Sequence, residues 1–178
     1  MEEAKGYEHF PIWIVILSSL VAVSIYAIGA YVLAGFGIWL SILYLICCLW
    51  IEVSVLRGSC VNCYYYGKVC GFGKGRLCPL LFKKGDPQKF VEREVSWSQV
   101  LPDLLVSIFP IVGGVTLLVR DFTWLVVVML AILVVLSLGG NAVVRGSFAC
   151  KYCKQRQIGC PAEKLFGKKM QAEESYDD

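Results

Sequence analysis

Seven of the chain's nine cysteines fall into two short polar stretches: Cys60, Cys63, Cys70 and Cys78 in the first, Cys150, Cys153 and Cys160 in the second. Both stretches open Cys-x2-Cys-x6-Cys. Two thiolates separated by two residues can face one ion, and paired cysteine elements supply a tetrahedral site. The single histidine, His9, is far from both stretches in sequence, so a metal site here is all-cysteine. An all-thiolate donor set selects zinc or an iron–sulfur cluster over mixed-ligand catalytic metals. The first stretch supplies a complete set of four ligands. The second supplies three, and needs a borrowed ligand, a non-protein ligand or an open position. A Cys-Pro pair occurs in each, Cys78-Pro79 and Cys160-Pro161. Cys-Pro at the last ligand is common in ferredoxin-type motifs, so an iron–sulfur cluster is the expected cofactor, with zinc as the alternative.

Two other uses of the thiols compete. Structural disulfides suit an oxidising compartment and wider spacing than Cys-x2-Cys. Thiol–disulfide exchange needs a lowered thiol pKa, which Lys68, Lys74, Lys151 and Lys154 would favour. Between Cys70 and Cys78 runs Gly71-Phe72-Gly73-Lys74-Gly75-Arg76. It lacks the spacing of a phosphate loop and reads as a basic turn whose glycines admit close approach of backbone amides to sulfur. The chain has no Ser-His-Asp set, paired carboxylates or nucleotide fingerprint, and no enzymatic reaction is assigned.

The elements that must position these thiols are apolar. Of the 178 residues 57% are hydrophobic and 17% charged, against about 25% charged in a soluble domain. The excess falls into four blocks, 10–33, 37–56, 100–119 and 122–144. Each approaches the ~20 residues that carry a helix across a bilayer, where the backbone must satisfy itself. The first is too long, and too acidic at its flank, for a signal peptide. The expected fold class is therefore an all-α integral membrane protein of four transmembrane helices.

Ala34-Gly35-Phe36-Gly37 joins blocks one and two, and Arg120-Asp121 joins three and four, making two hairpins. Four crossings put both termini and the long middle segment on one side. That side holds 16 of the 17 Lys and Arg residues, Arg120 being the exception. The positive-inside rule makes it cytoplasmic, and therefore reducing, which argues against disulfides. A basic face beside a membrane meets anionic lipid rather than nucleic acid. The lipid bilayer is the expected partner, with other subunits of a membrane complex or a second copy of the chain.

The unit is duplicated. Arg57-Gly58-Ser59 precedes the first cysteine set and Arg145-Gly146-Ser147 the second; Leu81-Phe82 and Leu165-Phe166 follow them. Cys160 aligns with Cys70 by spacing or with Cys78 by the following proline. Parallel repeats of this kind are related by an axis along the membrane normal, which sets the two cysteine segments side by side. The resulting organisation is a cytoplasmic tail (1–9), a hairpin (10–56), a cysteine-rich segment with an interfacial helix (57–99), a second hairpin (100–144), a second cysteine-rich segment (145–170) and an acidic disordered tail (171–178). The interfacial helix is expected from the Asp86-Pro87 start to about Trp97.

In helix count the chain resembles four-helix membrane thiol oxidoreductases that pass electrons to quinone. Its Cys-Pro pairs resemble those of small four-helix quinol-oxidising subunits, whose spacing differs, and neither family is assigned. Within the blocks, Cys47 and Cys48 read as buried small residues. Glu52 reads as a helix-end carboxylate within reach of Arg57. Asn141 reads as an interhelical hydrogen-bond donor, Gly113-Gly114 and Gly139-Gly140 as close approaches of helices three and four, and Pro110 as a kink.

Overall fold

The computed structural model describes residues 6–92 and 97–161; the expected acidic tail and Leu165-Phe166 lie outside them. Among the described residues the fold is all-helical, without a strand. The elements are α1 (Ile12–Ala34), α2 (Ile38–Gly58), α3 (Lys74–Leu81), α4 (Pro87–Glu92), α5 (Trp97–Arg120), α6 (Trp124–Val135) and α7 (Lys154–Gly159). Helix α6 runs on through π-helical turns at Leu136–Gly140 and Val143–Cys150.

Three helices are long and apolar enough to cross a membrane: Ile12–Ala34, Ile38–Asn62 and Trp124–Cys150. The third expected crossing, 100–119, falls within the 24-residue α5, which includes the apolar stretch Leu104–Arg120. The first hairpin turns where expected. Gly35 and Phe36 donate back to Val32 and Leu33, and Gly37 takes φ 136°, a backbone that glycine alone adopts readily, to open α2.

Helix α1 is central, packing on α2, α5, α6 and the π-helical continuation. The core joins Ile25 and Leu33 of α1, Tyr44 and Cys48 of α2, Val106 of α5, and Leu130 and Leu133 of α6. One bond there follows from Pro110. Proline has no N–H, so the Val106 carbonyl four residues earlier has no helical donor. The Tyr44 hydroxyl donates to it instead, at 2.9 Å. Gly29 makes room for that ring; a Cβ there would lie 2.5 Å from the Tyr44 Oη. Outside, Trp39 and Trp50 are 81% and 72% exposed, a surface suited to lipid. Cys48 is buried as expected, whereas Cys47 is exposed.

The fourth block departs most from expectation. Its apolar run stops at Val144, yet the helix reaches Cys150. The repeat offers a reason. Arg57-Gly58-Ser59 recurs 88 positions on, whereas Cys60, Cys63 and Cys70 recur 90 positions on. Two residues, Phe148 and Ala149, are therefore extra. A helix held at both ends absorbs added residues as π turns, and both lie in the π-helical Val143–Cys150.

Nearby details correct the sequence reading. Asn141 donates within its own helix, to the Ser137 carbonyl at 3.1 Å, not across helices. Gly140 faces Val21 of α1 rather than helix α5, and a Cβ at Gly139 would meet open space; Gly114 does meet Leu130 of α6. Asp86 caps α4 as expected, its Oδ1 accepting the Gln88 N–H at 3.0 Å. The helix opened there is described only to Glu92, and Trp97 instead begins α5, where the chain runs on into the apolar block.

Candidate functional site

The cysteine segments are built around the start of α1. Phe10, Ile14 and Tyr65 form a buried cluster, with Tyr65 only 2% exposed. The chain before α1 clasps both segments. Tyr7 N–H donates to the Tyr152 carbonyl (2.9 Å) and Phe10 N–H to the Val69 carbonyl (3.0 Å). Tyr7, in what reads from sequence as a plain tail, thus forms a one-bridge pairing with Cys153. Ser18, one turn further up α1, donates to the Gly71 carbonyl at 2.8 Å.

The two Cys-x2-Cys elements have the same local backbone. Cys63 N–H donates to the Cys60 carbonyl and Cys153 N–H to the Cys150 carbonyl, each at 3.3 Å. The next turn also matches: Tyr66 to Cys63 at 3.0 Å and Arg156 to Cys153 at 3.1 Å. The segments then interlock reciprocally. Tyr64 N–H donates to the Gln155 side-chain oxygen (2.7 Å), and the equivalent Lys154 N–H donates to the Tyr65 hydroxyl (3.0 Å). Tyr65 in turn donates to the Tyr7 carbonyl at 2.6 Å. Gln155, 3% exposed, is completed by donation to the Gly159 carbonyl at 3.0 Å.

All nine cysteines are free thiols. Cys60 opens a 3-10 turn (Cys60–Asn62) and is half-buried, as are Cys63 and Cys70. Cys78 lies inside α3, wholly buried, its thiol 3.8 Å from the Leu56 carbonyl. Cys150 is exposed, and Cys153 and Cys160 are half-buried. Cys160 has extended backbone, so it matches the non-helical Cys70 rather than the helical Cys78. Cys63, Cys70 and Cys153 pack around the same Phe10–Ile14–Tyr65 cluster. Among the described residues, no three Cys, His, Asp or Glu side chains stand in a geometry that could hold an ion.

Backbone amides point at the sulfurs. The Tyr65 amide meets Cys63, those of Arg156 and Gln155 meet Cys153, and Gly75 N–H lies 3.2 Å from the Cys70 Sγ. The last contact needs glycine, since a Cβ at Gly75 would run into the Tyr65 and Lys68 carbonyls. Burial nonetheless wins: it pushes the Cys63 thiol up to about 11 and raises Cys153 and Cys78 as well.

Of the lysines expected to lower these thiols, Lys74 acts on Cys60 by charge, where burial outweighs it and pushes the thiol up to about 12. All four lysines have other partners. Lys68 sits over the Tyr64 ring, 4.2 Å from its centroid, and Lys151 over Tyr152. Lys154 pairs with Glu8 at 2.7 Å. Lys74 pairs with Glu52, which also accepts from the Tyr26 hydroxyl at 2.6 Å. Glu52 is thus a paired carboxylate, but its partners are Lys74 and Tyr26 rather than Arg57. The ion pair ties α2 to the first turn of α3, between Cys70 and Cys78.

Tyr7, Tyr26, Tyr65, Lys74 and Gln155 are the residues that sequence spacing did not single out for these roles. The faint signal was the repeat itself, which sets Tyr65 and Gln155 at the same place after each Cys-x2-Cys. Comparison with protein families, curated proteins and solved structures finds no match for this chain.

Proposed function

We propose that this chain is a four-span membrane protein, duplicated from one hairpin-plus-cysteine unit, that binds metal through cytoplasmic thiolates and serves as an electron-transfer or accessory subunit. The observation that carries the reading is the pair of matching Cys-x2-Cys turns, each with an amide directed at the sulfur of its second cysteine. Such amide donors favour thiolate, the form a metal takes. The four-span arrangement draws support from α5 having the position and packing of a third crossing between the two hairpin turns. The charge asymmetry supports the cytoplasmic side.

An iron–sulfur cluster, when bound, would supply one-electron chemistry. The chain's own residues would hold it: the cysteines by their sulfurs, the amides of Tyr65, Gly75 and Gln155 by donation, and Phe10, Ile14 and Tyr65 by keeping water away. Ligation requires the cysteine side chains to rotate from their present positions. A zinc ion serving only to fold the segments is the weaker reading, because Tyr65 and its neighbours already give them a buried core. Metal-free thiol exchange is weaker still, because burial raises Cys63 and Cys153 where an attacking thiol needs a lowered pKa.

The test is elemental and optical analysis of the full chain purified anaerobically in detergent. Iron, acid-labile sulfide and a visible absorption band are expected. A colourless zinc-loaded protein would remove the redox role, and a chain free of metal that forms a titratable disulfide would overturn metal binding altogether.

A further inference from the structure

Helix α3 is held against the two helices of the first hairpin. The loop before it touches α1 twice. Ser18 donates to the Gly71 carbonyl at 2.8 Å, and a Cβ at Gly73 would lie 2.9 Å from the Val15 Cγ1. Ser18 is six residues into α1, ~9 Å along its axis. On α2, Lys74 pairs with Glu52, and the Cys78 thiol lies 3.8 Å from the Leu56 carbonyl. Both α2 residues belong to the apolar block 37–56, in which Trp50, two residues before Glu52, is exposed. The element from Gly71 to Leu81 therefore sits at the level where the apolar helices end, not in the water beyond.

The two sides of α3 agree with that place. Gly75 and Cys78 are buried on its inner side. The Gly67 N–H donates to the Gly75 carbonyl at 2.9 Å, and the Tyr66 hydroxyl to the Phe82 carbonyl at 2.8 Å. Leu77, Leu80 and Leu81, at i, i+3 and i+4, share the other side and are 54%, 79% and 61% exposed. Arg76, Lys83 and Lys84, all exposed, flank them. From Arg57 to Gly85 the chain carries six Lys and Arg residues and no acid. Leucines edged by cations at this level match acyl chains edged by anionic headgroups.

We infer that α3 is an interfacial anchor. Leu77, Leu80 and Leu81 enter the adjoining leaflet, and Arg76, Lys83 and Lys84 bind the headgroups of anionic phospholipids. The inference rests on α2 spanning the bilayer, part of the reading above, and is independent of metal. It also ties the glycine loop that follows Cys70 to the membrane surface.

The full chain in lipid nanodiscs tests it. Leu80→Trp adds a fluorophore at an exposed position. Its emission in excess of the parent chain's should be blue-shifted and quenched by phospholipid brominated near the headgroup end of the acyl chains. Excess emission that ignores brominated lipid would overturn the anchor: quenching by aqueous iodide would place α3 in water, and quenching by neither would place it under another protein. The parent's own tryptophans separate the two readings. If brominated lipid fails to quench those as well, the chain is not in the bilayer, and the spanning reading falls together with the inference.

Headgroup choice is read from spin-labelled lipids. Phosphatidylglycerol should associate with the chain more strongly than phosphatidylcholine. Arg76→Gln, Lys83→Gln and Lys84→Gln should each lower that preference, by up to about fivefold for one cation at an anionic surface. Added salt should lower it further. A preference unchanged when all three are replaced together would overturn the headgroup assignment.

Discussion

The two cysteine segments share a turn and differ in how a helix delivers it. In the first, α2 ends at Gly58, Ser59 follows, and the chain folds at once into the 3-10 turn at Cys60. In the second, the helix carries on as π turns until Cys150. The added residues are used where they land. Ala149 is buried and would touch a Cβ at Gly71, and Phe148 packs edge-on against Trp13, ring centroids 5.3 Å apart. The insertion thus extends the second unit until it meets the first unit's glycine loop and the start of α1. The two Cys-x2-Cys elements share a turn, and a two-residue length difference before the second lets it lie against the first.

The reciprocal bonds are equal in kind, but their residues are not equal in bulk, and this is the sharpest way to break the comparison. Tyr65→Ala removes the aromatic centre of the shared cluster as well as the hydroxyl that serves Lys154 and Tyr7. Large-to-small changes at buried aromatic sites cost about 3–5 kcal/mol. Thiols of both segments should therefore react faster with a fluorescent maleimide, and at lower temperature, than in the parent chain.

Gln155→Ala should cost less, about 1–3 kcal/mol, by leaving the Tyr64 N–H without its acceptor. Its effect should centre on α7, so Cys153 and Cys160 should gain reactivity while Cys78 does not. Equal losses in the two variants would mean that the hydrogen bonds, rather than the aromatic cluster, organise the segments.

How much of this was legible in the sequence depends on the range of the interaction. Long apolar runs announce their helices because the backbone has no other partner in hydrocarbon. The Gly35–Gly37 turn was readable for the same local reason, and the Asp86 cap likewise. The end of the fourth helix was not. Arg145 ends an apolar run, but charge marks where side chains leave an apolar layer, not where backbone bonding stops. Lys74 and Glu52, or Tyr65 and Gln155, meet across loops whose course no periodicity records. The cysteine spacing identified the thiols and could not say which of them face one another. Only the packing at Phe10, Ile14 and Tyr65 ranks them.

The buried and exposed thiols should also separate by pH. An unfolded cysteine ionises near 9, whereas burial keeps Cys63 protonated to about 11. A group whose pKa is raised on folding contributes stability below its unfolded value and loses it as pH rises through the folded one. The metal-free segments should therefore weaken between about pH 9 and 11, followed by loss of near-ultraviolet circular dichroism from the tyrosines. Alkylation of Cys63 should lag that of the exposed Cys150 until that range is reached. Simultaneous modification of the two at pH 8 would show that burial does not set them apart.

The smallest effect concerns the contact that joins the chain before α1 to the second segment through charge. Lys154 lowers the Glu8 carboxyl by hydrogen bond and charge, and Glu8 raises the Lys154 ammonium in return. The Glu8 contribution is present above the ordinary carboxylate range near 4.5 and is lost as pH falls through its lower folded value. The Lys154 contribution is present below about 10.5 and is lost as pH rises through its higher folded value. Solvent and salt screen such a pair. Glu8→Gln should consequently leave thiol reactivity at neutral pH nearly unchanged, with any difference from the parent shrinking further as salt is added. The clasp would still stand on the Tyr7 and Phe10 backbone bonds and on Tyr65, which Glu8→Gln does not touch. A large, salt-sensitive increase in Cys153 reactivity would instead mean that charge, not the shared core, holds the second segment against the first.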